Sequence, residues 1–334
     1  MLTRELDYKL PEELIAQKPA VPRDSSRLMV LDAGERTIGH RAFRDLPRFL
    51  GPGDTVVVNE TKVLPARVVV RRPGGGASEL LFLRSIKAKN DLWEVLARPS
   101  RRLRAGMVVS TGGDELRVVR PLKEGRWVVS GDVHGVLRRR GRMPLPPYIR
   151  ATPEAEREYQ TVYARDEGSA AAPTAGFHFT ERVLGEVEEA GANFSCVTLH
   201  VGIGTFSPVR TEKLEDHRMH AEHYRVPKET ARAVKDAGRV VAVGTTVART
   251  LESWAATGSL EGESELFIYP GYHWRVVDAL LTNLHLPRST LLAMVMAFAG
   301  KELIREAYEV AVKERYRFFS FGDAMLLLNG GRTL

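Results

Sequence analysis

The amino-acid sequence predicts an α/β protein in which a mixed, largely parallel sheet is flanked by helices and a β-barrel-like domain is inserted. Short strand-like runs fill residues 56–149, whereas predicted strands and helices alternate from about residue 180 onward. Alternation is typical of a largely parallel sheet, and closely spaced short strands are typical of a barrel or sandwich. We therefore expect a discontinuous α/β domain from residues 1–55 and 150–334, with residues 56–149 as a basic insert.

The predicted insert consists of short runs rich in β-branched residues. These runs are TVVVNE, RVVVRR, ELLFLRSI, LWEVLARP, MVVSTGG, ELRVVR and RWVVSG. Turn segments such as PGGG, TGGD and KEGR separate them, as expected for strands of a barrel or sandwich. No convincing helical pattern interrupts the runs before HGVLRRRG.

The remaining sequence alternates between helical and strand patterns. In chain order the segments are the helix TERVLGEVEEAG, the strand FSCVTLHVG, the helix PKETARAVKDAG, the strand RVVAVG, the helix TTVARTLESWAAT, the strands ELFIYPG and VVDALLTN, and final helices through LIREAYEVAVKERY. Thr180 is placed to cap the first of these helices. In sheets of this kind, ligands bind where strands end and helices begin.

The stretch LLTNLHLPRSTLLAMVMAFAG, residues 280–300, is nearly long enough to span a membrane but is interrupted near its middle. A spanning helix needs about 20 predominantly apolar residues. Pro287 disfavours helical geometry at Leu286, and Ser289 or Thr290 can cap a new helix. The stretch is therefore predicted to form a buried strand, a polar loop and a buried helix.

Charge is distributed unevenly along the chain of 334 residues, which carries a net charge of +7. Between Lys62 and Arg142 there are 19 basic and 7 acidic residues, against 30 basic and 35 acidic residues elsewhere. A basic module on a mildly acidic body suggests binding to a polyanion. The alternative is an arginine-rich thermophile surface, which the presence of only two glutamines also favours.

A single cysteine, Cys196, excludes an internal disulfide and a cysteine-cluster metal site. Its strand-like neighbours predict an inert buried thiol. The charged opening MLTRELDYKL shows no signal-peptide pattern, so we expect a cytoplasmic protein.

Four loops combine histidine or threonine with glycine beside a predicted strand end or helix start. They are PTAGFHFTE with Thr174, Gly176 and His178; VTLHVGIGTF with His200, Gly202, Gly204 and Thr205; VAVGTTVARTLES with Gly244, Thr245, Thr246 and Arg249; and TNLHLPRST with Asn283 and His285. One such histidine is usually a satisfied core residue. Several at the strand ends of one sheet converge, which favours a functional site. Because GTTVART lacks the GKS or GKT ending of a P-loop, it suits a carboxylate or ribose hydroxyls at least as well as phosphate.

The segment DHRMHAEHYRV, residues 216–226, contains Asp216, His220 and Glu222 among several possible metal ligands. It matches neither HExxH nor HxxEH, and the alternation of His220 and Glu222 suits an extended segment. A hydrogen-bonded substrate site is favoured over a structural network and over a zinc site.

Together these segments resemble one family, the S-adenosylmethionine:tRNA ribosyltransferase-isomerases of queuosine biosynthesis. The resemblance covers nearly the whole chain and is weakest in the insert. The segments that carry it are YKLPEELIAQKP, RDSSRLMVLD, GDTVVVNETKVLPAR, MPLPPYI, YQTVYARDEGSAAAPTAGFHFT, VTLHVGIGTFSPVR, DHRMHAEHY, VGTTVARTLES, FIYPGY, VDALLTNLHLPRSTLL, AFAG and YRFFSFGDAM. Any one of them is unspecific, but all of them in this order are highly specific.

The resemblance implies a reaction in which the ribosyl moiety of S-adenosylmethionine is transferred and isomerised onto the 7-aminomethyl-7-deazaguanine wobble base of tRNA. The implied products are epoxyqueuosine-tRNA, adenine and methionine. No metal and no cofactor beyond the co-substrate S-adenosylmethionine are implied. We expect tRNA and S-adenosylmethionine as partners, no membrane association, and a monomer.

This reaction requires a base for a hydrogen beside the sulfonium, assistance to departing adenine, and deprotonation of the acceptor amine. Neutral histidine suits each step near neutral pH. We expect His178, His200 and His285 to face the co-substrate, in an order that the sequence does not fix. Asp216, His220 and Glu222 are expected to bind the sulfonium or the aminomethyl group, and Arg249 the carboxylate of the methionine part. The other candidates are expected to bind the substrates: Thr174, Gly176, Gly202, Gly204, Thr205, Gly244, Thr245, Thr246 and Asn283.

Two arginine clusters of the insert are candidate contacts for the tRNA backbone. They are Arg101, Arg102 and Arg104, and Arg138, Arg139, Arg140 and Arg142. Three other functions remain open. An S-adenosylmethionine-dependent RNA methyltransferase would share the partners, but the sequence has no GxGxG loop in a first βα unit. A metal-dependent hydrolase would rest on residues 217–223, and a non-catalytic RNA-binding module would rest on the insert alone.

Overall fold

The computed structural model describes residues 1–87, 91–202 and 209–331. Their strands are β1 (Arg27–Asp32), β2 (Thr37–Ala42), β3 (Asp54–Asn59), β4 (Thr61–Val63), β5 (Arg67–Arg71), β6 (Ala77–Lys87), β7 (Leu92–Arg98), β8 (Val108–Thr111), β9 (Asp114–Pro121), β10 (Arg126–Ser130), β11 (Asp166–Ser169), β12 (Asn193–Leu199), β13 (Glu222–Arg225), β14 (Arg239–Val243), β15 (Glu261–Ser264), β16 (Ala279–Asn283) and β17 (Ala324–Leu328). The α-helices are α1 (Val133–Arg140), α2 (Pro153–Glu158), α3 (Glu181–Glu189), α4 (Lys228–Asp236), α5 (Thr245–Thr257), α6 (Thr290–Ala299) and α7 (Lys301–Lys313).

A nine-stranded mixed sheet forms the centre of the α/β part, with the order β15-β13-β12-β3-β14-β16-β17-β1-β2. The four strands β12, β3, β14 and β16 are mutually parallel, whereas β13, β15 and β2 add antiparallel edges. Alternate residues of β14 belong to hydrophobic clusters on opposite faces of the sheet. Val240 and Ala242 pack with α4–α7, and Val241 and Val243 pack with α3. Helices therefore cover both faces, and the predicted fold class is confirmed.

The basic insert contains a closed antiparallel barrel of six strands in the order β10-β7-β6-β5-β8-β9. Its interior is apolar, and α1 closes one side by packing Val133, Val136 and Leu137 into the same core. Asp132 caps α1, since its carboxylate accepts the N–H of Gly135 at 2.9 Å. Closure of the barrel removes the exposed strand edges that an open sheet of this length would leave.

Two strands differ from the sequence-based predictions. The run TVVVNE was assigned to the insert, but β3 lies in the centre of the large sheet between β12 and β14. Every residue of β3 is buried, and a continuously buried run is typical of a central parallel strand. ELFIYPG was predicted as a strand, but the strand there is β15, which ends before it at Ser264. The division into a discontinuous domain and an insert stays a prediction, with β3 on the α/β side.

The interrupted apolar stretch folds as predicted into the buried strand β16, a loop and the buried helix α6. Ser289 caps α6, because its hydroxyl oxygen accepts the N–H of Leu292 at 3.1 Å. Across the described ranges, no helix is both long enough and apolar enough to cross a membrane.

Candidate active site

A cleft lies at the carboxyl ends of the parallel strands, where the chain leaves β14 and β16. With the open solvent at its mouth included, it spans about 670 Å³. Its walls are Tyr148, Ala172, Pro173, Thr174, Ala175, Val201, Gly244, Thr245, Thr246, Thr282, Asn283, Leu284, His285, Leu286, Ser289, Leu291, Phe319 and Ser320. Six residues proposed from the sequence line it together: Thr174, Gly244, Thr245, Thr246, Asn283 and His285.

The N-terminus of α5 forms one wall of the cleft. Gly244 precedes the helix with φ +94°, a conformation that side chains other than glycine rarely adopt. Among the residues that the structure describes, no side chain caps the helix, so its first N–H groups can bind a ligand acceptor. Behind this turn, the side-chain amide of Asn59 reaches Thr246 Oγ1 at 3.5 Å and donates to the Leu199 carbonyl at 3.0 Å. Asn59 thus joins the ends of β3 and β12 to α5.

The side chain of Asn283 is held in one orientation by two neighbours, Thr174 and His178. Thr174 donates its hydroxyl to Asn283 Oδ1 at 3.1 Å, and Asn283 Nδ2 lies 3.1 Å from His178 Nε2. An amide nitrogen only donates, so His178 Nε2 accepts and Nδ1 carries the proton toward Ser26 Oγ at 2.7 Å. His178 also stacks on Phe43, with ring centroids 5.0 Å apart. It lies behind Asn283 rather than on the cleft wall.

His285 places its imidazole on the cleft wall itself. Its Nε2 lies 3.0 Å from Thr282 Oγ1, while its backbone N–H donates to Tyr308 and its carbonyl accepts from Tyr8. Within the described part of the chain, no residue bonds to Nδ1, which leaves that nitrogen for a ligand. Burial lowers the pKa of His285 to about 3, so the ring is neutral at neutral pH.

His200 lies at the end of β12, outside the cleft wall. Its Nδ1 is 3.1 Å from Thr61 Oγ1, and its ring stacks on His223 with centroids 6.3 Å apart. Burial lowers the pKa of His200. A side chain at Gly168, whose φ is +147°, would lie 2.8 Å from this ring, so glycine is required for the close approach. A catalytic role for His200 stays a prediction.

Arg249 and Glu222, both proposed from the sequence, form a fully buried ion pair. The second carboxylate oxygen of Glu222 accepts the N–H of Gly202 at 2.6 Å. Burial lowers the pKa of Arg249 to about 10, which leaves it cationic at neutral pH. The pair joins α5 to β13, two elements that the sequence pattern alone does not bring together.

Other proposed residues lie away from the cleft wall. Asp216 and His220 are exposed, and His220 Nδ1 lies 3.9 Å from Glu124 of the barrel. Gly176 is buried against Tyr163, whose hydroxyl would clash with any side chain there. Gly204 and Thr205 lie outside the described residues. Among the residues that are described, no group of three or more His, Cys, Asp or Glu side chains is arranged to hold a metal ion.

Several parts of the cleft and its supports were not predicted from the sequence. Ser26 orients His178, and Tyr148 and Phe319 form an aromatic contact at the cleft with centroids 4.3 Å apart. Phe319 has φ +72°, and the neighbouring Ser320 hydroxyl lies 2.7 Å from the Tyr148 hydroxyl. Their segments RDSSR, MPLPPYI and YRFFSFGDAM contributed only to the family resemblance. No periodic or spacing signal marked these residues individually.

The candidate tRNA-binding arginines of the barrel are exposed but differ in their surroundings. Arg139 contacts Asp114 at 2.7 Å and Asp132 at 3.1 Å, and Arg140 lies 3.7 Å from Asp114. The other five make no ion pair with any residue in the described ranges: Arg101, Arg102, Arg104, Arg138 and Arg142. These five arginines therefore offer more uncompensated positive charge than Arg139 and Arg140 do.

Acid should destabilise this fold through its two buried histidines. Burial lowers the pKa of His178 to about 4 and that of His285 to about 3, against an unperturbed 6.5. Below about pH 6.5 the unfolded chain therefore binds more protons than the folded chain, and the free energy of unfolding falls as pH falls. At about pH 5 each ring lowers this free energy by about 2 kcal/mol relative to neutral pH.

Urea unfolding between neutral pH and about pH 5 checks this expectation. His285→Gln removes one titrating ring. The free energy of unfolding of the variant should therefore fall by about 2 kcal/mol less than that of wild type over this pH range. An unchanged pH dependence in the variant would contradict the effect assigned to His285.

The chain is similar in sequence and in structure to known proteins. A family model described as queuosine biosynthesis protein matches residues 3–327. An S-adenosylmethionine:tRNA ribosyltransferase-isomerase of Rubrobacter xylanophilus is 71% identical over 336 residues, covering 100% of both chains. A relative of the same name from Halothermothrix orenii is 49% identical, over 98% of this chain and 100% of its own. The crystal structure of S-adenosylmethionine tRNA ribosyltransferase from Thermotoga maritima has a TM-score of 0.58 and 38% identity, over 97% of this chain and 100% of that chain.

Proposed function

The chain belongs to the family of queuosine biosynthesis proteins, and we infer from this membership that it is an S-adenosylmethionine:tRNA ribosyltransferase-isomerase. It transfers and isomerises the ribosyl moiety of S-adenosylmethionine onto the 7-aminomethyl-7-deazaguanine wobble base of tRNA. The reaction yields epoxyqueuosine-tRNA, adenine and methionine. The observation that carries this conclusion is the match over 100% of both chains at 71% identity with a relative of that name.

The cleft beside β14 and β16 is the proposed reaction site. The N-terminus of α5 supplies N–H donors, and Asn283 presents an amide whose orientation is fixed from behind. We assign His178 to this positioning, because both of its ring nitrogens are engaged by Ser26 and Asn283. His285 is assigned the role of proton or hydrogen-bond acceptor toward the substrate. Its neutral ring and the availability of Nδ1 support that role.

The barrel is the proposed docking surface for the tRNA backbone, with Arg101, Arg102, Arg104, Arg138, Arg139, Arg140 and Arg142 as its contacts. Exposed arginines neutralise phosphates and release counterions, which drives binding to nucleic acid.

We further propose that the protein is a cytoplasmic monomer that requires neither a metal nor a second cofactor. Glu222 and Arg249 are proposed to act on the co-substrate. For Asp216 and His220, whose side chains are exposed, contact with the acceptor tRNA is the proposed role, and His220 lies 3.9 Å from Glu124 of the barrel.

The proposed reaction is tested by incubating the protein with S-adenosylmethionine and tRNA that carries the 7-aminomethyl-7-deazaguanine base. Free adenine should appear in a one-to-one ratio with modified tRNA, because each transfer consumes one co-substrate molecule. A matched tRNA with unmodified guanine at the wobble position should release none. S-adenosylhomocysteine in place of adenine would indicate a methyltransferase, a function that the names of the relatives do not support.

A further inference from the structure

A pair of aromatic side chains forms one side of the cleft. Tyr148 and Phe319 both line it, and their ring centroids lie 4.3 Å apart. The Tyr148 hydroxyl is 2.7 Å from the hydroxyl of the buried Ser320, which fixes the orientation of the phenol ring. The roles proposed for Asn283 and His285 use neither aromatic ring. Rings held in this way at a cleft wall suit a planar ligand that stacks on them.

The backbone of Phe319 is strained. Its φ is +72°, a value that bulky side chains rarely adopt. The Phe319 N–H donates to the Leu284 carbonyl at 3.1 Å, and the Phe319 carbonyl accepts the N–H of Gly322 at 2.8 Å. Strained residues that the surrounding structure fixes in this way cluster at active sites and ligand-binding sites. The backbone conformation therefore supports a ligand contact for the Phe319 ring.

Two exposed cationic side chains lie in the segments that adjoin this aromatic pair. Neither Lys18 nor Arg150 forms an ion pair with a residue in the described ranges. The carboxylate of Glu154 interacts with Lys18 only through longer-range attraction. Most of the charge of these two side chains is therefore available to an anionic ligand.

Gln17 joins these cations to the aromatic pair. Its side-chain nitrogen donates to the Tyr148 carbonyl at 2.8 Å, and its side-chain oxygen accepts the N–H of Arg150 at 2.9 Å. The carbonyl of the next residue, Lys18, accepts from the Arg317 guanidinium at 3.3 Å. Arg317 belongs to the same segment as the second ring of the pair. Three segments that are distant in sequence are thus held together on one side of the cleft.

The charge of Lys18 and Arg150 decides which substrate fits the aromatic pair. S-adenosylmethionine carries a net positive charge at neutral pH, because it has a sulfonium, an ammonium and only one carboxylate group. Nearby cations repel such a molecule. A nucleotide within an RNA chain instead offers a planar base with a phosphate on either side. Aromatic rings combined with cationic side chains are typical of surfaces that bind single-stranded nucleic acid.

The position of Tyr148 along the chain points to the same substrate. Residues 143–147 connect it to the barrel, where the backbone of Arg142 pairs with that of Arg67 on β5. Arg142 is one of the arginines that are proposed to contact the tRNA backbone. The connection from the barrel to the cleft therefore ends at Tyr148, on the side from which a tRNA bound to the barrel approaches.

We propose that Tyr148 and Phe319 form the platform on which the 7-aminomethyl-7-deazaguanine base of tRNA stacks, and that Lys18 and Arg150 bind the phosphates beside this nucleotide. This inference rests on the proposed function and adds the surface that receives the acceptor. The platform holds the base at the cleft that contains His285, while the barrel holds the tRNA backbone farther away.

Substitution of Tyr148 tests the stacking contact. Tyr148→Leu should weaken the binding of tRNA that carries the modified base by about 5- to 100-fold, as expected for the loss of one base–aromatic stack. Tyr148→Phe is the matched control, because it keeps the ring and loses only the hydroxyl contact to Ser320, and it should bind this tRNA nearly as well as wild type. The affinity for S-adenosylmethionine, measured by isothermal titration calorimetry, should be unchanged in both variants.

Lys18→Gln with Arg150→Gln tests the phosphate contacts on exposed positions that the fold tolerates. At about 0.15 M salt this variant should bind the same tRNA about 10-fold more weakly, and its slope of log affinity against log salt should be shallower by about 1.4. Lys228→Gln with Lys235→Gln on α4 is the matched control. It removes the same charge from exposed positions of a helix that does not line the cleft, so screening by salt should leave tRNA affinity close to that of wild type.

Wild-type tRNA affinity in a folded Tyr148→Leu variant would overturn the inference, as would an equal loss in Tyr148→Phe. Weakened binding of S-adenosylmethionine to Tyr148→Leu, with tRNA affinity unchanged, would assign the rings to the co-substrate and overturn it as well. If Tyr148→Leu fails to fold, wild-type affinity and salt slope in the Lys18 and Arg150 variant would overturn it. In all these cases the wild-type protein still releases adenine, so the proposed function survives. Failure of the wild-type protein to release adenine with the modified tRNA would instead refute the proposed function.

Discussion

His285→Ala should slow adenine release by about 100-fold or more while leaving the melting temperature close to that of wild type. Loss of a general acid or base typically costs a factor of about 100 to 10,000 in rate. His285 lines the cleft, and its Nδ1 bonds to no residue in the described ranges, so its removal takes away a group that faces the substrate. The contacts to Tyr8 and Tyr308 use the backbone of His285 and persist in the alanine variant.

His40→Ala is a matched control for this substitution. His40 also makes an imidazole–hydroxyl contact, at 2.7 Å to Tyr316, but it lies on the edge strand β2. Single-turnover adenine release and thermal unfolding should be measured for both variants. Normal turnover in His285→Ala would remove His285 from the proposed chemistry. A large fall in melting temperature with a parallel loss of activity would show that the ring is a core residue.

Local sequence signals predicted the elements around the cleft because those elements depend on nearby residues. Gly244 starts α5 with a positive φ, and Ser289 caps α6. Both features follow from the conformational freedom of glycine and the short polar side chain of serine. The convergence of Gly244 and Asn283 followed from the parallel arrangement of β14 and β16. Thr174 follows no strand of the large sheet, and its contact with Asn283 depends on long-range packing.

Features that depend on long-range packing could not be predicted from local sequence signals. The β-branched run of β3 is compatible with a barrel strand or a central sheet strand, and its burial on both faces decided between them. His178 lies in a glycine-containing loop like the other candidates, yet Ser26, distant in sequence, engages its second nitrogen. The pairing of Arg249 with Glu222 likewise depends on how β13 packs against α5. No periodicity within a single element encodes such contacts.

Neutralising the unpaired arginines of the barrel should have the largest effect on tRNA binding. Arg101, Arg102, Arg104, Arg138 and Arg142 are exposed and form no ion pair with the described residues, so their charges are available to phosphates. At about 0.15 M salt, counterion release is worth about fivefold in affinity for each neutralised phosphate. If three or more of the five arginines contact phosphates, their replacement by glutamine should weaken tRNA binding by about 100-fold.

Arg139→Gln with Arg140→Gln is the matched control on the same surface. Asp114 and Asp132 already pair with these two arginines, so the double variant should lose less affinity per arginine than the five-residue variant. Binding should be measured over a range of salt concentrations, and the slope of log affinity against log salt should become shallower by about 0.7–0.9 for each phosphate that is no longer neutralised. S-adenosylmethionine affinity should remain unchanged, because the substitutions lie in the barrel and not on the cleft walls. If the five-residue variant keeps the wild-type affinity and salt slope, these arginines form a solvated face, and the tRNA backbone binds elsewhere on the protein.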